Sequence, residues 1–392
     1  MVDTLDHLPR LPLSLYYRHI EPPGFIKLTE QDKLGIYHAL RLHDRVYRID
    51  LMFPPSILQK VFELLGGHFP IMEHLFLMFS TSSNNNLPLT LPKAFLGPNL
   101  RRLSLPRISP PRRLRLLTST VSLVALELSN IETSSYFRPR LLATRLRSLP
   151  QLEELSIGFS IPIPRPSSER ELLGEQGAPV TLPSLKILKF RGVGAYLESL
   201  VAQIRTPLLE RLNITLFNQI AFALPHLSYM INITDVFKLP SAEVGFYRNE
   251  VCISTFHSLA RIPFSLHVRC KPLDWQIDCA AQICHALIPT LSDVQELSLY
   301  NKGIPTELGN DAIDGAMWHD LLRTFIGVEQ LRIYRGLTGE VSRALQVDGV
   351  GTNPSFLPNL QSICAKDYLF TSFINTRKAV GRPVQFQNVY AG

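Results

Sequence analysis

The sequence predicts an α/β fold, an irregular solenoid with a parallel sheet along its concave face and helices on its convex face. Three observations predict it. A six-residue pattern, apolar–x–x–apolar–x–apolar, returns along much of the chain. Amphipathic helical patterns fill several of the intervals. A proline often stands where a helix ends and the next strand begins.

The six-residue pattern fits VYRIDL from residue 46, MEHLFL from 72, LRRLSL from 100, LVALEL from 123 and LEELSI from 152. It returns in LKILKF from 185, LERLNI from 209, VQELSL from 294 and VEQLRI from 328. LQSICA at 360 keeps the first two apolar positions, while AEVGF (242–246) and FSLHV (264–268) keep only the alternation. Successive starts lie 26, 28, 23, 29, 33 and 24 residues apart, and later 34 and 32. An LxxLxL core at such a period is the mark of a leucine-rich repeat, here with long units. The alternating part makes a short strand with one buried face, and the first apolar residue turns the entry into the same core.

SILQKVFELLGG, YLESLVAQIR, CAAQICHALI and WHDLLRTFIG are helical patterns between strands. Strand followed by helix, repeated, builds a parallel sheet with helices against it. In LPQLEEL, LPSLKIL, TPLLERL and LPNLQSI the proline stops helix continuation just before the strand. Asn130 and Asn301 fall one place early for a regular asparagine ladder, so uneven curvature is expected. The stretches at 80–89, 161–180, 302–316 and 347–355 read as surface loops. Residues 1–45 are read as a strand–helix cap: LSLYYR alternates, and Thr29 with Asp32 has capping-box spacing at the start of a helix. Residues 46–370 form the solenoid and 371–392 a C-terminal tail or cap.

Composition narrows the function. The 392-residue chain is 45% hydrophobic and carries a net charge of +7. Residues 101–150 hold ten arginines against Glu127 and Glu132, so this window alone carries +8. MVDTLDHLPRLPLSLYYRHI has neither the basic start nor the unbroken apolar run of a signal peptide, and no stretch is long enough to span a bilayer. A cytoplasmic or nuclear protein is expected, with no membrane partner. The five cysteines form no CxxC pair and read as buried free thiols. The NIT triplets at Asn213 and Asn232 read as strand residues. No phosphate loop, HExxH, GxSxG or dinucleotide fingerprint is present, and no metal, cofactor or catalytic set is expected.

LTEQDKLGIYHALRLHDRVYRIDL, TLPKAFLGPNLRRLSLP, SLPQLEELSIGFSIPIPRPSSERELLGEQG, YLESLVAQIRTPLLERLNITLFNQI and CKPLDWQIDCAAQI together resemble a large family of F-box and leucine-rich-repeat proteins from mushroom-forming fungi. The resemblance runs from about residue 10 to 387. Members place an F-box, a three-helix module that docks onto a cullin-type ubiquitin ligase, before such an array. The resemblance therefore implies a substrate-recognition domain, with a ubiquitin-ligase adaptor as a further partner. LPLSLYYRHI has the outline of an F-box opening, and a degenerate F-box is the alternative reading of residues 1–45; no complete F-box is recognisable. The alternative function is a stand-alone sensor or scaffold repeat without a ligase connection.

Binding would use the strand residues between the buried leucines. The early strands present Arg48, Asp50, His74, Phe76, Arg102 and Ser104, and the middle ones Glu127, Glu154, Lys189, Arg191, Arg211 and Asn213. The late strands present Glu296, Tyr300, Arg332 and Tyr334. Two clusters are expected to bind a protein ligand: Lys189, Arg191 and Arg211 as a cationic patch, and Tyr300, Arg332 and Tyr334 as a hot spot of favoured residue types. The arginine window at 101–147 suits an acidic or phosphorylated protein partner. It lacks the interleaved aromatics that nucleic acid would stack on.

Overall fold

The computed structural model describes residues 11–18, 29–63, 65, 67–79, 91–108, 114–132, 135–162, 178–256, 262–270, 273–302, 315–334, 336–347, 357–365 and 368–388. Most of the four expected surface loops lie outside these. The chain forms two units, one of residues 1–192 with 202–209, the other of residues 193–201 with 210–392. Both are α/β, each built on a large and mostly parallel set of strands.

In the first unit the strands follow one another across the sheet in chain order. They are β1 (Leu13–Arg18), β2 (Val46–Phe53), β3 (His74–Phe79), β4 (Arg102–Ser104), β5 (Ala125–Ile131), β6 (Glu154–Phe159) and β8 (Ile187–Gly192), each parallel to its neighbour. β7 (Val180–Thr181) and β9 (Ile204–Arg205) make a separate parallel pair. The sequence predicts that residues 204–205 end a helix, but they pair with Val180 and Thr181, where the 161–180 stretch ends. The helices are α1 (Glu30–Arg41), α2 (Pro55–Glu63) and α3 (Pro139–Leu146). The expected capping box is present: the Asp32 N–H donates to Thr29 Oγ1 at 3.1 Å, and the Thr29 N–H to Asp32 Oδ2 at 3.0 Å. LSLYYR is a strand, β1.

One face of this sheet is a continuous apolar column. Ile49, Leu75, Leu103, Leu126, Leu155 and Leu188 stand opposite one another on six successive strands, all buried. Strict alternation then sends the intervening residues to the open face. The register is set at each strand entry, by the second residue of the six-residue pattern. The Glu73 N–H donates to the Tyr47 carbonyl, Arg101 to Glu73, Val124 to Arg101, Glu153 to Val124 and Lys186 to Glu153, at 2.7–2.9 Å. Asn99 Nδ2, one place before the pattern, donates to the Pro70 carbonyl, and Ser184 Oγ in the same place to Pro150. These side-chain links tie unit to unit where a regular asparagine ladder is missing.

The second unit contains α4 (Gly194–Val201), β10 (Arg211–Phe217), α5 (Pro225–Ile233), β11 (Ser241–Tyr247), β12 (Glu250–Phe256), β13 (Phe264–Arg269) and α6 (Leu273–Ala286). It continues through α7 (Ile288–Leu291), β14 (Glu296–Lys302), α8 (Gly315–Leu322), β15 (Gln330–Ile333), α9 (Thr338–Val347), β16 (Ser362–Ala365), α10 (Thr371–Ala379) and β17 (Gln385–Asn388). The order across the sheet is β10-β13-β12-β11-β14-β15-β16-β17. β12 is antiparallel to both β11 and β13, which departs from the expected all-parallel sheet. The reason is local. Only Arg248 and Asn249 separate β11 from β12, and a two-residue link can join only antiparallel strands. Residues 371–388 add one more helix and strand, β17 being parallel to β16. Asn232, expected in a strand, lies in α5; Asn213 is in β10 as expected.

Candidate functional site

The first unit carries a groove of about 340 Å³ on its open face. Its rim and floor come from matched positions on successive strands. One row runs Arg48, His74, Arg102, Ala125, Glu154, Ile187; the next runs Asp50, Phe76, Ser104, Glu127, Ser156, Lys189. Arg18 enters from β1 and completes the lining. The early-strand residues expected to face outward are therefore brought together. Arg18 was not among them, because its function depends on the pairing of β1 with β2.

Asp50 is almost fully buried in this groove and is held by two cations. Arg18 Nε and Nη2 donate to its two carboxylate oxygens at 3.2 and 3.1 Å, and Arg48 Nη2 stands 3.6 Å away. The bond to Asp50 holds the Arg18 guanidinium above its ordinary pKa, and the same group lies 5.0 Å from the centre of the Phe76 ring. A bidentate guanidinium–carboxylate pair fixes orientation as well as charge. His74 sits between Arg48 and Arg102. Burial, and then the repulsion of these two arginines, push its pKa below the usual imidazole value. Farther along, Glu127 accepts hydrogen bonds from the hydroxyls of Ser104 (2.6 Å) and Ser129 (3.0 Å).

The two clusters singled out from the sequence fare differently. Lys189 and Arg191 lie on β8 in the first unit and Arg211 on β10 in the second. Arg191 is engaged besides, donating from Nη1 to Asn130 Oδ1 at 3.2 Å. Asn130 has φ 55°, a left-handed conformation that asparagine tolerates. Lys189 is exposed at the groove's far end.

Tyr300 is not the open contact residue expected: it is buried. Gly245 stands opposite it in the parallel pair, and the ring lies over that glycine, in the volume a Cβ would fill. Its hydroxyl is hydrogen-bonded to that of Tyr247, the two rings meet edge to face, and Lys302 Nζ is 4.9 Å from the ring centre. Burial, the Tyr247 contact and Glu243 together raise its pKa far above the ordinary phenol. Arg332 is tethered, with Nη2 3.0 Å from Gln330 Oε1 and 3.5 Å from Glu296 Oε2. Tyr334 is 47% exposed and is the member of this set most open to a partner.

The cysteines are free and buried, and burial pushes the Cys252 thiol up to about 12. Among the described residues no group of three or more His, Cys, Asp or Glu side chains could hold a metal ion, and no helix is long and apolar enough to cross a membrane. The chain matches no protein-family model, and no curated protein matches its sequence.

Proposed function

We propose that this chain is a leucine-rich-repeat-type solenoid acting as a non-enzymatic protein-interaction module in the cytoplasm or nucleus. In this reading it is the substrate-recognition part of an F-box-type ubiquitin-ligase receptor. The observation that carries the interaction role is the repeated entry bond at one position of the six-residue pattern. It keeps successive units in one register, so polar side chains from neighbouring strands stand in rows on an open face, a surface suited to an extended polypeptide. The ligase connection is supported by the resemblance of the five quoted segments to the fungal F-box family.

Affinity capture with the full chain from a basidiomycete lysate, read by mass spectrometry, tests both parts. The expected result is recovery of a ligase adaptor and cullin together with candidate substrates. Retention of other proteins without adaptor or cullin would leave a stand-alone recognition domain. Arg332→Ala with Tyr334→Ala is expected to preserve folding and to weaken recovery of any partner bound at the late strands; unchanged recovery removes that cluster from the interface.

A further inference from the structure

The groove of the first unit is electrically divided along the order of its strands. At one end Arg48, His74 and Arg102 stand opposite one another on β2, β3 and β4. The carboxylate here, Asp50, already has Arg18 in a two-point bond as well as Arg48 nearby. Arg102 is exposed and makes no ion pair among the described residues. Two arginines and an imidazole thus face one open space whose lining at this end holds one carboxylate, Asp50, itself bound; Glu73 lies outside that lining, with Oε2 3.9 Å from His74 Nε2. At the next strands the sign reverses. Among the described residues Glu127 is hydrogen-bonded only to neutral serine hydroxyls and Glu154 makes no ion pair, with Lys189 lying beyond them at the groove's far end.

We propose that this groove binds an extended peptide lying across the strands, with a phosphoserine or phosphothreonine over Arg48, His74 and Arg102 and a lysine or arginine over Glu127 and Glu154. The proposal rests on the reading of the open face as a polypeptide-binding surface. A phosphate brings three acceptor oxygens to donors that arrive from three strands, whereas a carboxylate brings two. A run of acidic residues would meet the two glutamates and be repelled. The spacing follows from sheet geometry: from β3 to the midpoint of β5 and β6 is about 12 Å at ~4.8 Å per strand. An extended chain advancing ~3.3 Å per residue covers that distance in about three or four residues.

The test uses the full chain and labelled synthetic peptides of alanine, glycine and serine. Each carries one phosphoserine and one lysine at increasing separations and in either order, and binding is read by fluorescence polarisation. Affinity is expected to peak at a separation of about three or four residues. It should fall at least about tenfold when the phosphate is omitted or when Arg102 is replaced (Arg102→Ala). Glu127→Gln with Glu154→Gln should abolish the preference for lysine and leave the phosphate dependence intact. Circular dichroism confirms that the exposed Arg102 variant is folded. Equal affinity with and without phosphate, no binding by any peptide, or indifference to Arg102→Ala overturns the proposal. So does a random single-stranded oligonucleotide that outcompetes the best peptide at physiological salt, which would assign the cations to nucleic acid. Captured protein partners unaffected by Arg102→Ala would remove the groove while leaving the interaction module standing; capture of none would remove both.

Discussion

Glu198 is a buried carboxylate with no cationic side chain bonded to it among the described residues. It projects from α4 to the start of α5, where its two oxygens accept the backbone N–H groups of His226 (2.8 Å) and Leu227 (2.9 Å). The first N–H groups of a helix have no partner within it, and a negative charge there also meets the favourable end of the helix dipole. α5 begins with Leu224 and Pro225, neither of which has a capping side chain, so the cap comes from another helix. Glu198→Ala is expected to cost about 1–3 kcal/mol, because it leaves two helix-start donors unpaired, the Leu227 N–H of them buried; urea unfolding measures it. Burial raises the Glu198 pKa more than the two N–H bonds lower it. Its charged form is therefore the costlier one in the folded state. Stability from this group is greatest below the unfolded carboxyl value and declines as pH rises through the folded value, a slope that Glu198→Gln should remove. This cap was not legible in the sequence: twenty-eight residues separate Glu198 from His226, and only the packing of α4 on α5 joins them.

Leu155 shows what the strands contribute. It is the second residue of β6, opposite Leu126 on β5 and Leu188 on β8, with 1% of its surface exposed. Leu155→Ala should leave a cavity and cost about 2–5 kcal/mol while the chain still folds. Leu155→Asp puts an unpaired charge in the shared column and should abolish cooperative melting in circular dichroism. An aspartate variant that melts like the parent would mean that the buried column has been misplaced. The same alternation explains what the sequence could and could not say about strands. All ten matches of the six-residue pattern, LQSICA included, contain strands, because period two marks a buried face directly. The pattern carries no direction, however. β12 was not singled out at all, and its antiparallel course was decided by the two-residue link after Tyr247. β17 lies in the segment the sequence reads as a C-terminal tail or cap, and along Gln385–Asn388 only Phe386 is even half-buried.

At the scale of the whole chain, the five cysteines lie in the second unit and share burial. Cys252, Cys270, Cys279, Cys284 and Cys364 are all free and buried. A thiol reacts as its thiolate, and that form is disfavoured at Cys252 and Cys284 by burial and at Cys270 by its hydrogen bond with Cys279 and by burial, whereas the same hydrogen bond favours it at Cys279. The native protein is therefore expected to react slowly with a disulfide reagent near neutral pH and to titrate all five thiols once denatured. Rapid labelling of one or more in the native state would mean that a helix or strand carrying them opens readily. The charge has a less uniform fate. The arginine window at 101–147 reads as one basic feature, yet Arg102 joins the groove while Arg145 lies in the last turn of α3.

The sequence by itself determined the repeating strand unit, the buried column, the face on which polar residues emerge and the capping box at Thr29, because each is written in the spacing of neighbouring residues. It also placed Arg48, Asp50, His74, Phe76 and Arg102 on the open face. Only the tertiary structure decided which of these stand side by side. It drew Arg18 from β1 onto Asp50, hid Tyr300 over Gly245, and put Arg211 in a different unit from Lys189 and Arg191. A side chain's face is fixed by backbone periodicity within a few residues. Its neighbours are fixed by strand pairing across dozens of residues, and no local pattern carries that information.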